Sequence, residues 1–385
     1  MPATQKLCFF LALLFFARAN AQHHLTLRVQ NHSLLHANDS IFVAGNFNGW
    51  NPGKTALSRE QDGTGWFIDL SLPQATYEFK FTLGSWEAVQ VSKAGNDVGN
   101  NSINLKCDTS LLFSIDAWKN EFDVLPKKHT ASNNVQIMDT AFQMPQLNTH
   151  RRIWIYLPPG YAQANKRYPV LYMQDGQNLF NPLTSYIGYD WKVDEVLSKL
   201  FTSKIIEEII VVGIYNSKDR MDEYNYFSEK GKKYASFLIK ELKSFIDENY
   251  RTIPFASQTA VMGSSLGGLY SFQLFWNFPK IFGKAACLSN SFWINDGEIF
   301  RMIKNIPINI TDKFKLYIDC GSEEKELIND FIKMTEYLLE NNFTDSLNFK
   351  SYLDIGGKHT ESDWAKRLHI PLEFLFGKNE RREDL

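Results

Sequence analysis

The chain has 385 residues, 44% of them hydrophobic, 14% aromatic and 22% charged, with a formal net charge of −2. That length suggests two domains, with ample apolar material for their cores. The near-neutral balance excludes the basic footprint of a nucleic-acid binder. Beyond the N-terminus, no stretch approaches the ~18 unbroken apolar residues of a membrane span.

The chain opens as an export signal would. Lys6 supplies a short positive region, residues 7–16 an apolar run, and Ala19-Asn20-Ala21 a small-x-small cleavage site. Residues 1–21 are therefore expected to be a signal peptide, leaving Gln22 as the first residue of a secreted or periplasmic protein. Of four cysteines, Cys8 leaves with the signal. Cys107, Cys287 and Cys320 remain, an odd count without metal-type spacing. Cys287 and Cys320 sit in apolar runs and read as small core residues. No metal or organic cofactor is expected.

From residue 22 to 125 short alternating strands, such as 41–44, 66–72 and 77–82, are broken by Gly, Asn and Pro. This pattern predicts a small all-β sandwich of immunoglobulin-like type. Residues 126–134, with Lys127 and Lys128, read as a linker. From 135 to 385 the pattern changes. Strands are predicted at 170–173, 209–214, 259–262, 285–288, 316–318 and 349–353. Between and after them lie helices at 193–201, over the apolar positions Tyr234, Leu238, Leu242, Phe245 and Ile246, and at 269–278, 327–340 and 364–376. Strands alternating with helices predict an α/β fold with a mainly parallel sheet covered on both faces, and ligands beyond the strand C-termini.

Gly263-Ser264-Ser265-Leu266-Gly267 fits Gly-x-Ser-x-Gly, and it follows a strand and opens a helix, as a nucleophile turn requires. Ser265 is the candidate nucleophile, and the Leu266 amide can donate to an oxyanion at the helix N-terminus. In an α/β-hydrolase an acid and then a histidine follow the serine. His369 falls within the apolar period of the last helix and reads as packed. His359, in the loop Gly356-Gly357-Lys358-His359-Thr360, is the candidate base. For the acid, Glu324 is favoured, followed by Glu323 and Asp319. The second oxyanion donor is sought in Asp175-Gly176-Gln177-Asn178, with the Gln177 amide first and Gly176 second.

These residues, with the runs Ile155-Tyr156-Leu157-Pro158-Pro159-Gly160-Tyr161, Asp175-Gly176-Gln177-Asn178-Leu179-Phe180 and Arg220-x-x-Glu223-Tyr224, make residues 135–377 resemble the esterase D family. That family holds enterochelin esterase-like and feruloyl esterase-like α/β-hydrolases. The resemblance implies a Ser-acid-His triad with Glu324 as the acid, three residues after the Gly of Gly321-Ser322. Arg220, Glu223 and Tyr224 then orient substrate or form a structural ion pair and hydroxyl contact. Trp191, Phe292 and Trp293 are candidates for lining the pocket. In the front half, Gly45-Asn46-Phe47-Asn48-Gly49-Trp50-Asn51-Pro52, Tyr77-Glu78-Phe79-Lys80-Phe81 and Gly84-Ser85-Trp86 resemble glycogen- and starch-binding modules. This implies Trp50 and Trp86 stacking on sugar, with Lys80 and Asn100 bonding its hydroxyls.

The expected activity is hydrolysis of a carboxylic ester, glycan-linked or of siderophore type, by a serine esterase through an acyl-serine. The expected partners are a small-molecule or glycan ester and a polysaccharide, with no nucleic acid and no membrane span. Acyl transfer to a sugar hydroxyl is the second enzyme reading, and a glycan-binding protein with an inert hydrolase half is the third.

Overall fold

Strand patterning dominates the first part of the computed structural model, which describes residues 22–122, 128–306 and 313–378. The expected signal peptide and the start of the expected linker lie outside the described residues. The N-terminal strands are β1 (Gln22–Asn31), β2 (Phe42–Gly45), β3 (Ser58–Arg59), β4 (Trp66–Pro73), β5 (Ala75–Thr82), β6 (Gln90–Val91), β7 (Asn101–Leu105), β8 (Thr109–Ile115) and β9 (Ala117–Trp118). One sheet has the order β3-β4-β1-β8, a second β2-β5-β7, and β6 pairs with β9. Period-two alternation turns Leu25, Leu27 and Val29 of β1 inward, against Val43, Phe79 and Phe81 from the second sheet, so both sheets close on one core. β5 departs from simple amphipathicity. Its alternate face carries Glu78, Lys80 and Thr82, and these polar residues are buried as well.

The second part forms one eight-stranded sheet in the order β10-β11-β13-β12-β14-β15-β16-β17. These strands are β10 (Val135–Met144), β11 (Thr149–Tyr156), β12 (Val170–Met173), β13 (Ile210–Ile214), β14 (Thr259–Ser264), β15 (Lys284–Leu288), β16 (Lys315–Gly321) and β17 (Phe349–Asp354). β12 to β17 run parallel, whereas β10 and β11 are antiparallel, so the sheet is mixed. The central strands bury both faces. Val170, Tyr172 and Val212 enter one core layer; Leu171, Met173 and Val211 enter the other.

Against the first layer pack α3 (Glu229–Phe237), α4 (Lys243–Asn249), α5 (Leu266–Asn277), α6 (Ile294–Asn305) and α7 (Lys325–Glu340). Against the second pack α1 (Val193–Thr202), α8 (Glu361–Arg367) and α9 (His369–Phe376). A single turn, α2 (Arg220–Glu223), lies after β13. Two expectations are corrected. The helix expected at 364–376 is two helices meeting at Leu368, because Pro371 has no N–H to bond back one turn to Arg367. His369, expected to be packed, is exposed at that junction.

Candidate active site

The site begins at the turn between β14 and α5. Ser265 joins them with φ 57° and ψ −121°, a strained state for any residue with a side chain. The neighbouring glycines permit the close approach. A Cβ at Gly263 would stand 2.6 Å from the Gly267 carbonyl carbon, and one at Gly268 would stand 2.7 Å from Asn290 Oδ1. The turn is pinned by the Ser265 amide donating to Leu288 O at 2.9 Å. The Ser265 hydroxyl lies 3.2 Å from Ser291 Oγ.

His359 enters from the loop after β17. Its Nδ1 lies 2.9 Å from Glu324 Oε1, with side-chain exposures of 9% and 2%. The ring stands edge-on to Trp364 at 5.0 Å between centroids. Glu324 is held in turn by the Gly321 amide, which donates to Oε2 at 2.6 Å. Burial alone would raise the Glu324 carboxyl. The hydrogen bond and charge of His359, with the Gly321 amide, outweigh it, and the group sits below its ordinary value. Burial would likewise lower His359, but the bond to Glu324 and the charges of Glu324, Glu78 and Glu361 hold it above 6.5.

The other two acid candidates are placed elsewhere. Asp319 is buried in a clamp, accepting from Arg367 Nε at 2.9 Å and Nη2 at 3.0 Å and from the Ser289 amide at 3.0 Å. Glu323 is exposed. Ser265, Leu266 and His359 line one cavity of about 420 Å³.

The esterase family model matches residues 145–374. The chain belongs to the esterase family. It is 27% identical over 247 residues to the uncharacterized protein YbbA of Bacillus subtilis, covering 60% of this chain and 94% of that one. It is 24% identical over 286 residues to an endo-1,4-beta-xylanase/feruloyl esterase of Xylanibacter ruminicola, covering 73% of this chain and 36% of that protein. The ferric enterobactin esterase structure from Salmonella typhimurium superposes with a TM-score of 0.53 at 16% identity, covering 93% of this chain and 94% of that one. The likeness of fold therefore extends over most of the chain, and the α/β-hydrolase architecture follows from the family.

In this esterase the remaining expected residues separate into two groups. Arg220 lines the cavity and is held by Asp175, with Nε to Oδ1 at 2.8 Å and Nη2 to Oδ2 at 2.7 Å. Glu223 and Tyr224 stand behind it and are not on the lining. Glu223 accepts from Arg151 at 2.8 Å and from Ser217 Oγ at 2.9 Å, and the Tyr224 hydroxyl accepts from the Asp175 amide at 3.1 Å. The structural alternative therefore describes their contacts, with Arg151 rather than Arg220 as the partner of Glu223. Trp293 lines the cavity. Trp191 does not: it is buried in the second core layer against Trp364, and Phe292 is buried against Phe272. An aromatic side chain serves core and wall equally well, so residue type alone could not separate them.

Leu266 is on the lining. Gln177 is buried behind it, its Oε1 accepting from the Asn216 amide at 3.2 Å and its carbonyl from Thr184 Oγ1 at 2.7 Å. Gly176 fits where a Cβ would stand 2.7 Å from the Gly213 carbonyl carbon.

The residues expected to bind sugar at a separate module lie on this same cavity. Trp50, Trp86, Lys80 and Asn100 share its lining with Ser265 and His359. Glu78 and Glu361 join them, and neither was singled out in the sequence. The signal for Glu78 was present: in a strand it shares a face with Lys80, two residues on. Asp175, in a run already noted for its backbone, also acts through its side chain as the anchor of Arg220.

Proposed function

We propose that this esterase hydrolyses a carboxylic ester through an acyl-serine intermediate. One observation carries the reading: a serine forced to positive φ between β14 and α5 shares a cavity with a histidine whose far nitrogen is bound to a buried glutamate. The Ser265 hydroxyl leaves Ser291 and attacks the ester carbonyl while His359 Nε2 takes its proton. As the tetrahedral adduct collapses, the ester C–O bond breaks and His359 returns the proton to the leaving alkoxide. Water, deprotonated by the same imidazole, then releases the acid and frees Ser265. Glu324 holds Nδ1 protonated and stabilises the imidazolium. The Leu266 amide, at the first position of α5, donates to the oxyanion, and the Gln177 amide is the second donor of this reading. The linkage cleaved is a glycan-borne or siderophore-type ester, consistent with the names carried by the two relatives above.

Ser265→Ala tests it. Hydrolysis of p-nitrophenyl acetate should fall by about 10⁴-fold or more, and labelling by a fluorophosphonate probe should disappear. Retained turnover would remove Ser265 from the mechanism.

A further inference from the structure

We propose that the N-terminal sheets supply the leaving-group subsite of the catalytic cavity, and that this subsite takes a neutral, hydroxyl-rich ring, the sugar portion of the ester. The inference rests on the esterase reading and narrows it.

The first support is position. His359 hands its proton to the departing alkoxide, so the alcohol must lie on the imidazole's side. That is where the N-terminal residues stand. Gly99 backs onto the His359 amide, with an added Cβ 3.8 Å from it, and the charge of Glu78 acts on the imidazole. Trp293 instead follows Ser291, the contact of the Ser265 hydroxyl, and flanks the acyl side.

The second support is the chemistry of the wall. Trp50 and Trp86 present two rings tilted by 36° with centroids 6.3 Å apart. Trp50 is held at φ 58°, a rare state for a bulky residue and one that structures retain at functional positions. Two flat apolar faces suit the C–H face of a sugar. Among the polar groups, Glu78 is 5% exposed, and its Oε2 has only a long contact of 3.4 Å from Asn100 Nδ2. Glu361 has a similar 3.4 Å contact from Asn178 Nδ2. Both are acceptors suited to hydroxyl donors, and burial raises both toward protonation, Glu361 further under the charge of Asp97.

The third support is charge. Of the cations on the lining, Lys80 is committed to Asp97 at 3.0 Å and Arg220 to Asp175 in a two-point clamp. Lys218, Glu78 and Glu361 remain, with His359 aside. A polyanionic ester would meet two carboxylates against one such lysine. A purely hydrocarbon alcohol would bury those carboxylates without donors, which is costly. A neutral polyol satisfies them.

The test compares kcat/KM of the full chain on acetylated methyl glycosides and on p-nitrophenyl acetate, in the wild type and in Trp50→Ala, Trp86→Ala and Glu78→Gln. The ratio of sugar ester to p-nitrophenyl ester should fall about tenfold or more in each, mainly through KM for the sugar ester. That is the scale of a lost hydrogen bond to a charged group. Trp50→Phe, which keeps a flat face, should recover part of the ratio. Ratios unchanged within about twofold across the variants would overturn the subsite, as would a wild type that prefers a polyanionic catecholate ester over every sugar ester. A wild type that neither turns over p-nitrophenyl acetate nor takes a fluorophosphonate would sink the esterase reading itself. An active, labelled protein with unchanged ratios sinks the subsite alone.

Discussion

Two buried carboxylates leave the β16 region, and what grips each one separates their roles. Asp319 is consumed by Arg367, itself buried, in a clamp shared with Ser289 and Tyr317. Glu324 keeps one oxygen for the Gly321 amide and gives the other to His359. Glu324→Gln should therefore lower kcat on p-nitrophenyl acetate by about 10⁴-fold with little loss of stability, because the imidazole loses its orienting charge. Asp319→Asn should do the reverse. It strands the Arg367 charge, at a cost of about 3–5 kcal/mol, visible as a lower denaturant midpoint, while kcat at low temperature changes far less. Comparable kcat losses in both would contradict the division. This distinction was only partly legible in the sequence. The Gly321 turn favoured Glu324, but the capture of Asp319 depends on Arg367, on a helix far along the chain.

The elements carry this geometry through contacts too close for any side chain. β14 and α5 meet across Gly263 and Gly267, and the strain at Ser265 persists because those contacts hold the turn on both sides. Gly263→Ala must push α5 outward. A destabilisation of about 1–3 kcal/mol is expected, with a loss of kcat on the order of 10²-fold from misplacing the nucleophile. A Gly263→Ala protein with wild-type kinetics would show that the turn tolerates displacement. Periodicity found the strands of the eight-stranded sheet well, since runs such as 209–214 and 285–288 are apolar throughout. It placed the start of α5 three residues late, at Leu269 rather than Leu266. Gly267 and Gly268 look like a break in a helical pattern, yet here they are its first turn, made of glycine for packing rather than for flexibility. The end of the chain misled in the opposite way, since an apolar period ran straight through the Leu368 junction.

Across the whole molecule, the ionised pair Glu324–His359 links folding to pH with two signs. His359 is raised above its ordinary 6.5, so its stabilisation is complete below that value and is lost as pH climbs through the folded pKa. Glu324 is lowered from 4.5, so its stabilisation is present above that value and is lost as pH falls through the folded pKa. Catalysis needs the imidazole neutral. The acid limb of kcat/KM should therefore lie above pH 6.5, and this pair should stabilise the fold most on the acidic side of the activity plateau. Melting temperature and kcat/KM followed across the same buffers check this; an acid limb below pH 6.5 would contradict it. Part of that elevation comes from Glu78, a residue of the N-terminal sheets, and no spacing rule links a strand near residue 80 to a loop near residue 359. The chemistry of each half was readable in isolation, whereas their shared cavity was not, because facing walls leave no trace in a linear pattern. The N-terminal wall has a consequence for how such enzymes diversify. Drift in residues 22–122 can redirect which alcohol is released while the acyl-transfer machinery stays untouched, giving evolution two tuning knobs on a single reaction.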